Sequence, residues 1–600
     1  MFHALFSLAP ALWSIRNDFG NYYVPARLVR EGVALDRAYE RDFLQVHAGR
    51  LGIGRAVSFV PHPPLNALWL VPLAGLDPLS AKRLSVAALS AALILAGLVL
   101  RRVVDLPAPL LALVFLLPSA ATANALDYVQ PYPVLLLCLA GFAVCLAGGR
   151  PLWAGALLAP VVLAKLYGLP LLAWLLWERR WRPLLGFAVG AALLAGFELL
   201  VLGSPVHRAY LDEILPRSLR GEIQDPYSPV WGSATSLAFR LFQAEPFLNP
   251  RPLLDAPRLA SASAAFLQAL PLFWSLAARV PPPHEPLRFK VALMSLAGLL
   301  ASPLTASYHF VLLILPAALL LPGLRGGARI ALLGLVTFAA SPLPHYFFPL
   351  AHGLGNLLAH ARWLSMWAIL LLALRGSWVP RRASSAALAA LAVGGFAGAT
   401  RQPAVAPPSL VSASGYLAAE PIECGDAIGW LAIEGESYVA RSADRVRSEA
   451  PLGRLLRPVC ERGAVSGVLL DDAGSAAGRD ADHDEDGRGR VAVDRPGRLL
   501  RDEPHDGPPR TLYEGIARWP RLSPDGARVV FSAWSDGSWD LWVADRSGGG
   551  AYPLTLTRAN EIEPSWRLSG SAVLFASDER RGLGSTTLRE LPLPARRVVR

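Results

Sequence analysis

Asp18 stands directly behind a short apolar segment, in the stretch NDFGNYYVPARLVREG. A carboxylate beside a bilayer is costly unless it is solvated, paired or functional. From spacing alone, an interfacial acid held by Arg16 or capping the following helix explains Asp18 as well as a catalytic base does. Lys165 lies alone among apolar residues between Pro160 and Pro170. A buried lysine calls for an anion; a stem that snorkels to the interface is the plainer alternative. His309, next to Tyr308 in an apolar run, reads either as a hydrogen-bonded core histidine or as a contact to a polar ligand. His62, before Pro63 and Pro64, reads first as architectural, and Arg208, Arg217 and Arg220 read first as a solvated face. Asp42 is a second candidate acid, expected on a solvated helix. DADHDEDG (480–487) spaces Asp482, Asp484, Asp486 and Gly487 like a calcium loop, but Val493 stands where the closing glutamate belongs, so calcium is discounted. No phosphate loop, zinc spacing or Ser-His-Asp triad occurs, and metal dependence stays open.

The elements that must position these residues are membrane helices. Of 600 residues, 53% are hydrophobic and 17% charged, with a mean hydropathy of +0.38. Soluble domains carry about 25% charged residues. The apolar runs fall in 1–400, and 401–600 reads as an ordinary polar protein. The net charge of +11 sits in short clusters at the ends of apolar runs, such as Arg101–Arg102 and Arg179–Arg180 with Arg182. That is the positive-inside pattern and excludes a nucleic-acid stripe. Apolar runs at 2–15, 64–77, 83–100, 107–122, 132–147, 151–177, 183–203, 259–279, 289–302, 306–324, 328–343, 361–375 and 384–399 predict on the order of 10–13 spans. The first reads as an uncleaved anchor, and the natural start can lie upstream. The run 151–177 is bracketed by basic residues at both ends; if both flanks are cytoplasmic, it is a hairpin or re-entrant pair. Two long polar loops, 16–63 and 204–258, are long enough to carry function.

Arg381–Arg382 before the last run puts 401–600 outside the cell membrane. Cys424 and Cys460 agree with that, since a disulfide needs an oxidising compartment, whereas Cys138 and Cys145 read as packing residues. Residues 401–470 are expected to be a linker and a small mixed segment, and 471–510 a disordered Asp/Arg/Gly-rich linker. TLYEGIARWPRLSPDGARVVFSA (511–533) aligns with TLTRANEIEPSWRLSGSAVLFAS (555–577), pairing Pro520 with Pro564 and Phe531 with Phe575. This repeat resembles the TolB-type blade. It predicts two β-blades over 511–600, a structural or binding module with a possible protein partner.

DFGNYYVPARLVREGVALDRAYERDF resembles the opening of glycosyltransferase family 87. FVPHPPLNALWLVPLAGL (59–76) resembles the family's aromatic–Pro–Pro–Leu element, with His62 where Tyr is usual. VQPYPVLLLC (129–138) keeps Gln130 of a third element and loses its Gly and Asn. AGALLAPVVLAKLYGLPLLAWLLWERRWRPLL (154–185) carries Lys165 at the family's Lys position. LASPLTASYHFVLLILPAALLL (300–321) has Tyr308 for the first His of a fifth element and keeps His309 for the second. The resemblance implies a multi-spanning α-helical GT-C-type fold in the bacterial inner membrane, followed by an extracytoplasmic, mainly-β segment. It implies an inverting transfer of a hexose, with mannose as the family-level expectation. The donor is a polyprenyl-phosphate sugar, the acceptor a lipid or glycan, and no nucleotide or other cofactor is called for. Asp18 becomes the general base. Lys165, His309, Tyr308, His62, Gln130 and Arg208 become donor-phosphate or sugar contacts. A non-catalytic scaffold for the β module and a lipid-linked sugar transporter are the competing readings; no internal symmetry of the transporter kind is visible in 1–400.

Overall fold

The computed structural model describes residues 9–15, 18–375 except 224, and 409–593 except 413–416, 435–436, 443–444, 452–455, 470–482, 495–498, 536 and 549. Arg16, most of the first apolar run, the run at 384–399 with Arg381–Arg382, and Asp482 therefore lie outside the described residues.

The first half is helical. Three helices are long and apolar enough to cross a membrane: α3 (Pro78–Leu100), α9 (Trp181–Leu202) and α12 (Pro257–Ala277). Three further pairs, each bent by 60–63°, raise the number to six if each pair is one span. The expected 10–13 spans are not found among the described residues, because apolar runs are cut by their own turns. The run at 107–122 breaks at Pro118 into α4 (Ala108–Leu116) and α5 (Ser119–Asp127), and α6 (Tyr132–Ala147) is shorter than a full span. Helix α9 leaves Leu185, Leu193, Phe197 and Leu200 exposed, as a lipid-facing helix does.

The 151–177 segment is a hairpin. Helix α7 (Pro151–Lys165) ends at Leu166, whose φ of 61° turns the chain, and α8 (Leu169–Trp177) returns over only nine residues. Helix α9 then starts beside the start of α7. A Cβ on Gly155 would lie 1.8 Å from the Pro183 carbonyl oxygen, and one on Gly186 2.1 Å from that of Leu152. Further along, Gly190 meets Ala156 and Ala159. The two helices therefore run parallel, in backbone contact that only glycine permits. Their shared end carries Arg150, Arg179, Arg180 and Arg182, and the tip of α7 carries Lys165.

The second half is built of five sheets. Strands β2–β5 (Ala418–Cys424, Ala427–Glu434, Ser437–Ser442, Arg445–Pro451) form one sheet, and β6–β7 (Leu456–Glu461, Ala464–Leu469) the next. Strands β8–β11 (His483–Asp486, Gly489–Val493, Leu499–Pro504, Arg510–Glu514) and β12–β15 (Ala517–Leu522, Arg528–Ser535, Ser538–Asp545, Ala551–Pro553) follow. The last sheet holds β16–β18 (Glu561–Trp566, Ala572–Ser577, Thr587–Pro592), and its outer strand is β1 (Ser409–Ser412), from the start of the region. First strands pack side by side, β2 on β6, β8 on β12, β12 on β16, and β16 back on β2. The first strands thus follow one another in the order β6, β2, β16, β12, β8, the blade-by-blade packing of a β-propeller, and the N-terminal β1 completes the last sheet. It begins at 409, not 511. The expected disordered linker is occupied by β8–β11 over 483–514, where the β-branched Val491 and Val493 and the buried Leu500 form the core side of an antiparallel pair running from Leu500↔Val493 to Pro504↔Gly489. Asp484 accepts the Leu522 N–H and Asp486 pairs with Arg546 at 2.9 Å, so both acids belong to the fold. Cys424 and Cys460 form a disulfide that joins the first two sheets.

The propeller sits on both polar loops of the helical half. Glu420, Arg457, Trp519 and Glu563, each followed by Pro, converge from the first strands of four sheets on one opening. Into it projects the start of α2 (Arg41–Arg50). Arg41 bonds Glu563 at 3.0 Å and Glu420 at 3.3 Å, Arg457 bonds Glu420 at 2.7 Å, and Arg518 bonds Glu40 at 3.2 Å. Asp42 is therefore not on a solvated face. Burial opposes its charge, but Arg41 and Arg457 hold its carboxyl below the usual carboxylate range. Glu563 is pushed up to about 7, mainly by burial. Arg217 in the second loop is likewise buried, 2.7 Å from Asp578, and Arg581 pairs with Glu245 at 2.9 Å. Arg220 keeps an exposed pair with Glu222.

Candidate functional site

Asp18 immediately precedes α1 (Phe19–Arg30) and makes no side-chain cap to it, so the capping account of this acid fails. Its Oδ2 accepts a 2.7 Å hydrogen bond from Gln130 Nε2, and Tyr308 directs its hydroxyl at the same carboxylate. Oδ1 has a 3.4 Å contact with Asn21 Nδ2. One helical turn into α1, Tyr22 donates to Gln130 Oε1 at 2.6 Å. The fully buried Gln130 amide is thus oriented by Tyr22 and spends its N–H on Asp18.

Lys165 reaches the same cluster from the tip of the hairpin. Its Nζ donates to Tyr22 Oη at 3.1 Å and meets His62 Nδ1 at 2.9 Å. Because an ammonium only donates, His62 Nδ1 accepts and the ring is neutral, with its proton on Nε2. Asn66 holds the α7 tip by donating to the Ala164 carbonyl. Lys165 is within electrostatic reach of Asp18 yet has no ion pair among the described residues; its two hydrogen-bond partners are neutral. The other buried lysines differ. Lys82 pairs with Asp127 at 2.8 Å, and Lys290 bonds the carbonyls of Ser275, Leu276 and Ala278 at the end of α12.

His309 completes the group. The Ala306 N–H donates to its Nδ1 at 3.0 Å, so this ring also carries its proton on Nε2, and Tyr167 Oη lies 2.9 Å from the same nitrogen. Aromatic rings wall the space between: Tyr22 stacks on His62 at 4.7 Å, and Tyr132 lies 4.6 Å from His309 and 5.6 Å from Tyr308. Asp18, Lys165 and Tyr308 stay half-buried while Tyr22, Gln130, His62 and Tyr132 are buried behind them. The arrangement offers one carboxylate, one ammonium and several N–H and O–H donors around a common space.

The structure thus gathers Asp18, His62, Gln130, Lys165, Tyr308 and His309 in one cluster. Arg208 does not join them. It is exposed on α10 (Ser204–Ala209), a turn of the second loop that faces away from these contacts. Tyr22, Tyr132 and Tyr167 were missed by sequence reasoning. Each stands two to four residues after a candidate, Asp18, Gln130 or Lys165, which was the available signal. Asp42, Glu420 and Glu563 lie near enough to share a cation. The guanidinium groups of Arg41 and Arg457 already sit on those oxygens, so the trio reads as an ionic seam.

No curated protein matches the sequence. The propeller region is similar to the putative TolB of Agrobacterium tumefaciens, at 15% identity over 30% of this chain and 78% of that chain, with a TM-score of 0.20. It is also similar to TolB from Acinetobacter baumannii, at 16% identity over 28% of this chain and 51% of that chain, with a TM-score of 0.17. Residues 59–303, which include His62, Gln130 and Lys165, match the model of glycosyltransferase family 87.

Proposed function

We propose that the protein transfers a hexose from a polyprenyl-phosphate donor to a lipid or glycan hydroxyl at the outer face of the membrane, with Asp18 as general base. The observation that carries this reading is Lys165, a half-buried cation with neutral hydrogen-bond partners, sharing a cluster with a carboxylate. A cation held this way calls for an anion, and a departing phosphate supplies one. Asp18 takes the proton of the acceptor hydroxyl while that oxygen bonds to the anomeric carbon. The bond from that carbon to the donor oxygen breaks, its electron pair leaves with the phosphate toward Lys165, and the configuration inverts. Gln130 fixes Oδ2 of the carboxylate, and the proton goes to Oδ1, whose contact with Asn21 is 3.4 Å. The Nε2–H groups of His62 and His309 are neutral donors for sugar or phosphate oxygens. The basic end of the α7–α8 hairpin then faces the cytoplasm, and the Cys424–Cys460 disulfide agrees with an oxidising side for the propeller.

The test is transfer of labelled sugar from polyprenyl-phosphate sugars in membranes, comparing wild type with Asp18→Asn. Loss of about 10²–10⁴-fold is expected on removing the base. Equal activity in both would reject Asp18, and no transfer from any donor would favour the scaffold.

A further inference from the structure

We propose that the propeller is a built-in clamp that positions the catalytic loop, with Glu40, Arg41 and Gln45 as positioning residues for Asp18. The proposal rests on the transferase reading above for the role of Asp18, and on contacts for the rest. The first outer loop enters the propeller opening at Glu40, Arg41 and Asp42, where four propeller side chains, Glu420, Arg457, Arg518 and Glu563, take hold of it. Val46, one turn further along α2, packs against the core of the first sheet.

From that anchor a chain of hydrogen bonds runs to the acid. Gln45, 1% exposed, accepts the Val57 N–H at 3.0 Å and donates to the Arg55 carbonyl. The next N–H, from Ser58, is accepted by Asn21 Oδ1 at 2.9 Å, and the amide of Asn21 contacts Asp18 Oδ1. The approach is close-packed as well: a Cβ on Gly20 would lie 2.7 Å from Val57. A second route leaves from the same place. Tyr39, beside Glu40, donates to the His62 carbonyl at 2.8 Å, and the His62 ring meets Lys165. Holding 39–42 therefore fixes residues that contact both the acid and the lysine. The loop also packs on the helical half through Phe19, Leu44 and Phe59, so the propeller's hold is a fine adjustment, and a misplacement of about 1 Å costs on the order of 10²-fold in rate.

The seam, not the site, is the place to test this. Glu40→Arg and Arg518→Glu each put like charges together, and the double variant restores an opposite-charge pair in reversed order. Two quantities are read on the full-length protein in membranes or detergent: hydrogen exchange of 41–58, and kcat and KM for the donor. Each single change is expected to speed exchange in 41–58 and lower kcat by at least tenfold, with KM within threefold. Arg37, which pairs with Glu40 at 2.7 Å, then faces a like charge, so the double variant is expected to recover most but not all of both. Exchange that rises while kcat holds would overturn the positioning role. So would a kcat that falls without recovery in the double variant. A wild type inactive with every donor would overturn the transferase reading and the positioning of a base together, whereas an active wild type whose kcat ignores the swap overturns the clamp alone.

Discussion

Asp578→Leu is the sharpest perturbation of the seam between the second loop and the propeller. Arg217 is 3% exposed and Asp578 2% exposed, and their 2.7 Å contact lies 361 residues apart in sequence. Two further nitrogens of Arg217, Nε and Nη1, have no hydrogen-bond partner among the described residues, so Asp578 is the main compensation, ahead of the more distant Glu222 and Glu213. Removing one member of a buried pair costs about 3–5 kcal/mol, because the other charge stays buried. Glu213 stands near Arg217 and can ionise to take part of the load, which argues for the lower end. About 3 kcal/mol corresponds to roughly a 100-fold increase in opening of the seam. The assay is hydrogen exchange of 204–223 and 578–586 in the full chain, since local opening and not global unfolding is affected. Arg217→Met combined with Asp578→Leu removes both charges and is expected to return to within about tenfold of wild type. An opening increase below about fivefold in the single variant, or a double variant as open as the single, would refute the claim that this pair holds the seam.

Three further outcomes follow from the same contacts. Gln130→Ala removes the 2.7 Å bond to Asp18 and strands the Tyr22 hydroxyl, so kcat is expected to fall about 10–100-fold with little change in donor KM, read in the transfer assay. Gly155→Val puts a Cβ on the Pro183 carbonyl and is expected to abolish a well-folded yield in detergent, whereas Gly196→Ala, which meets nothing within 4 Å, is expected to be silent. Glu213 is raised from its ordinary 4.5 to about 7, first by burial, so the docked state binds its proton more tightly. Docking is then insensitive to this group below pH 4.5, weakens as pH rises from 4.5 to 7, and levels off above. The total is about 2 kcal/mol once its partial exposure is discounted. Glu213→Gln should flatten the pH dependence of exchange at 204–223.

What the sequence disclosed and what it hid divide along the range of the interactions involved. The membrane half, the hairpin at 151–177 and the Cys424–Cys460 pair follow from composition, flanking charge and cysteine number, all of them local properties. The cluster was legible because its residues are polar groups inside apolar surroundings, and such a group is conspicuous wherever its partner lies. Span number was not legible, since hydropathy counts runs and cannot tell a full crossing from a bent or returning one. The propeller was under-read for a different reason. Two of its sheets keep the long repeat, two keep only a residue–Pro step at the opening, where Glu420–Pro421 and Arg457–Pro458 match Trp519–Pro520 and Glu563–Pro564, and the β8–β11 sheet lacks even that. Glu420, Trp519 and Glu563 all take a left-handed φ there, of 47°, 52° and 55°. Their spacing is uneven, and the closing strand β1 pairs with a strand about 180 residues later, which no period reveals.

The misread charges make the same point about mechanism. Asp42 and Arg217 are charged residues in polar loops, and from sequence a solvated face is the economical reading. They are buried because each meets an opposite charge supplied by the propeller, hundreds of residues away. The first loop buries its own Phe19, Leu28, Leu44 and Phe59 against Ala67, Leu70, Ala81 and Leu89 of the helical half, and its charged tip at 40–42 is left to be ordered by what packs on it. Here the packing partner is the same chain's C-terminal domain, and the loop it orders begins at Asp18 and includes His62. Asp18 and His62 lie in that loop, so the polar residues that hold the two halves together also bear on where the side chains of the cluster stand.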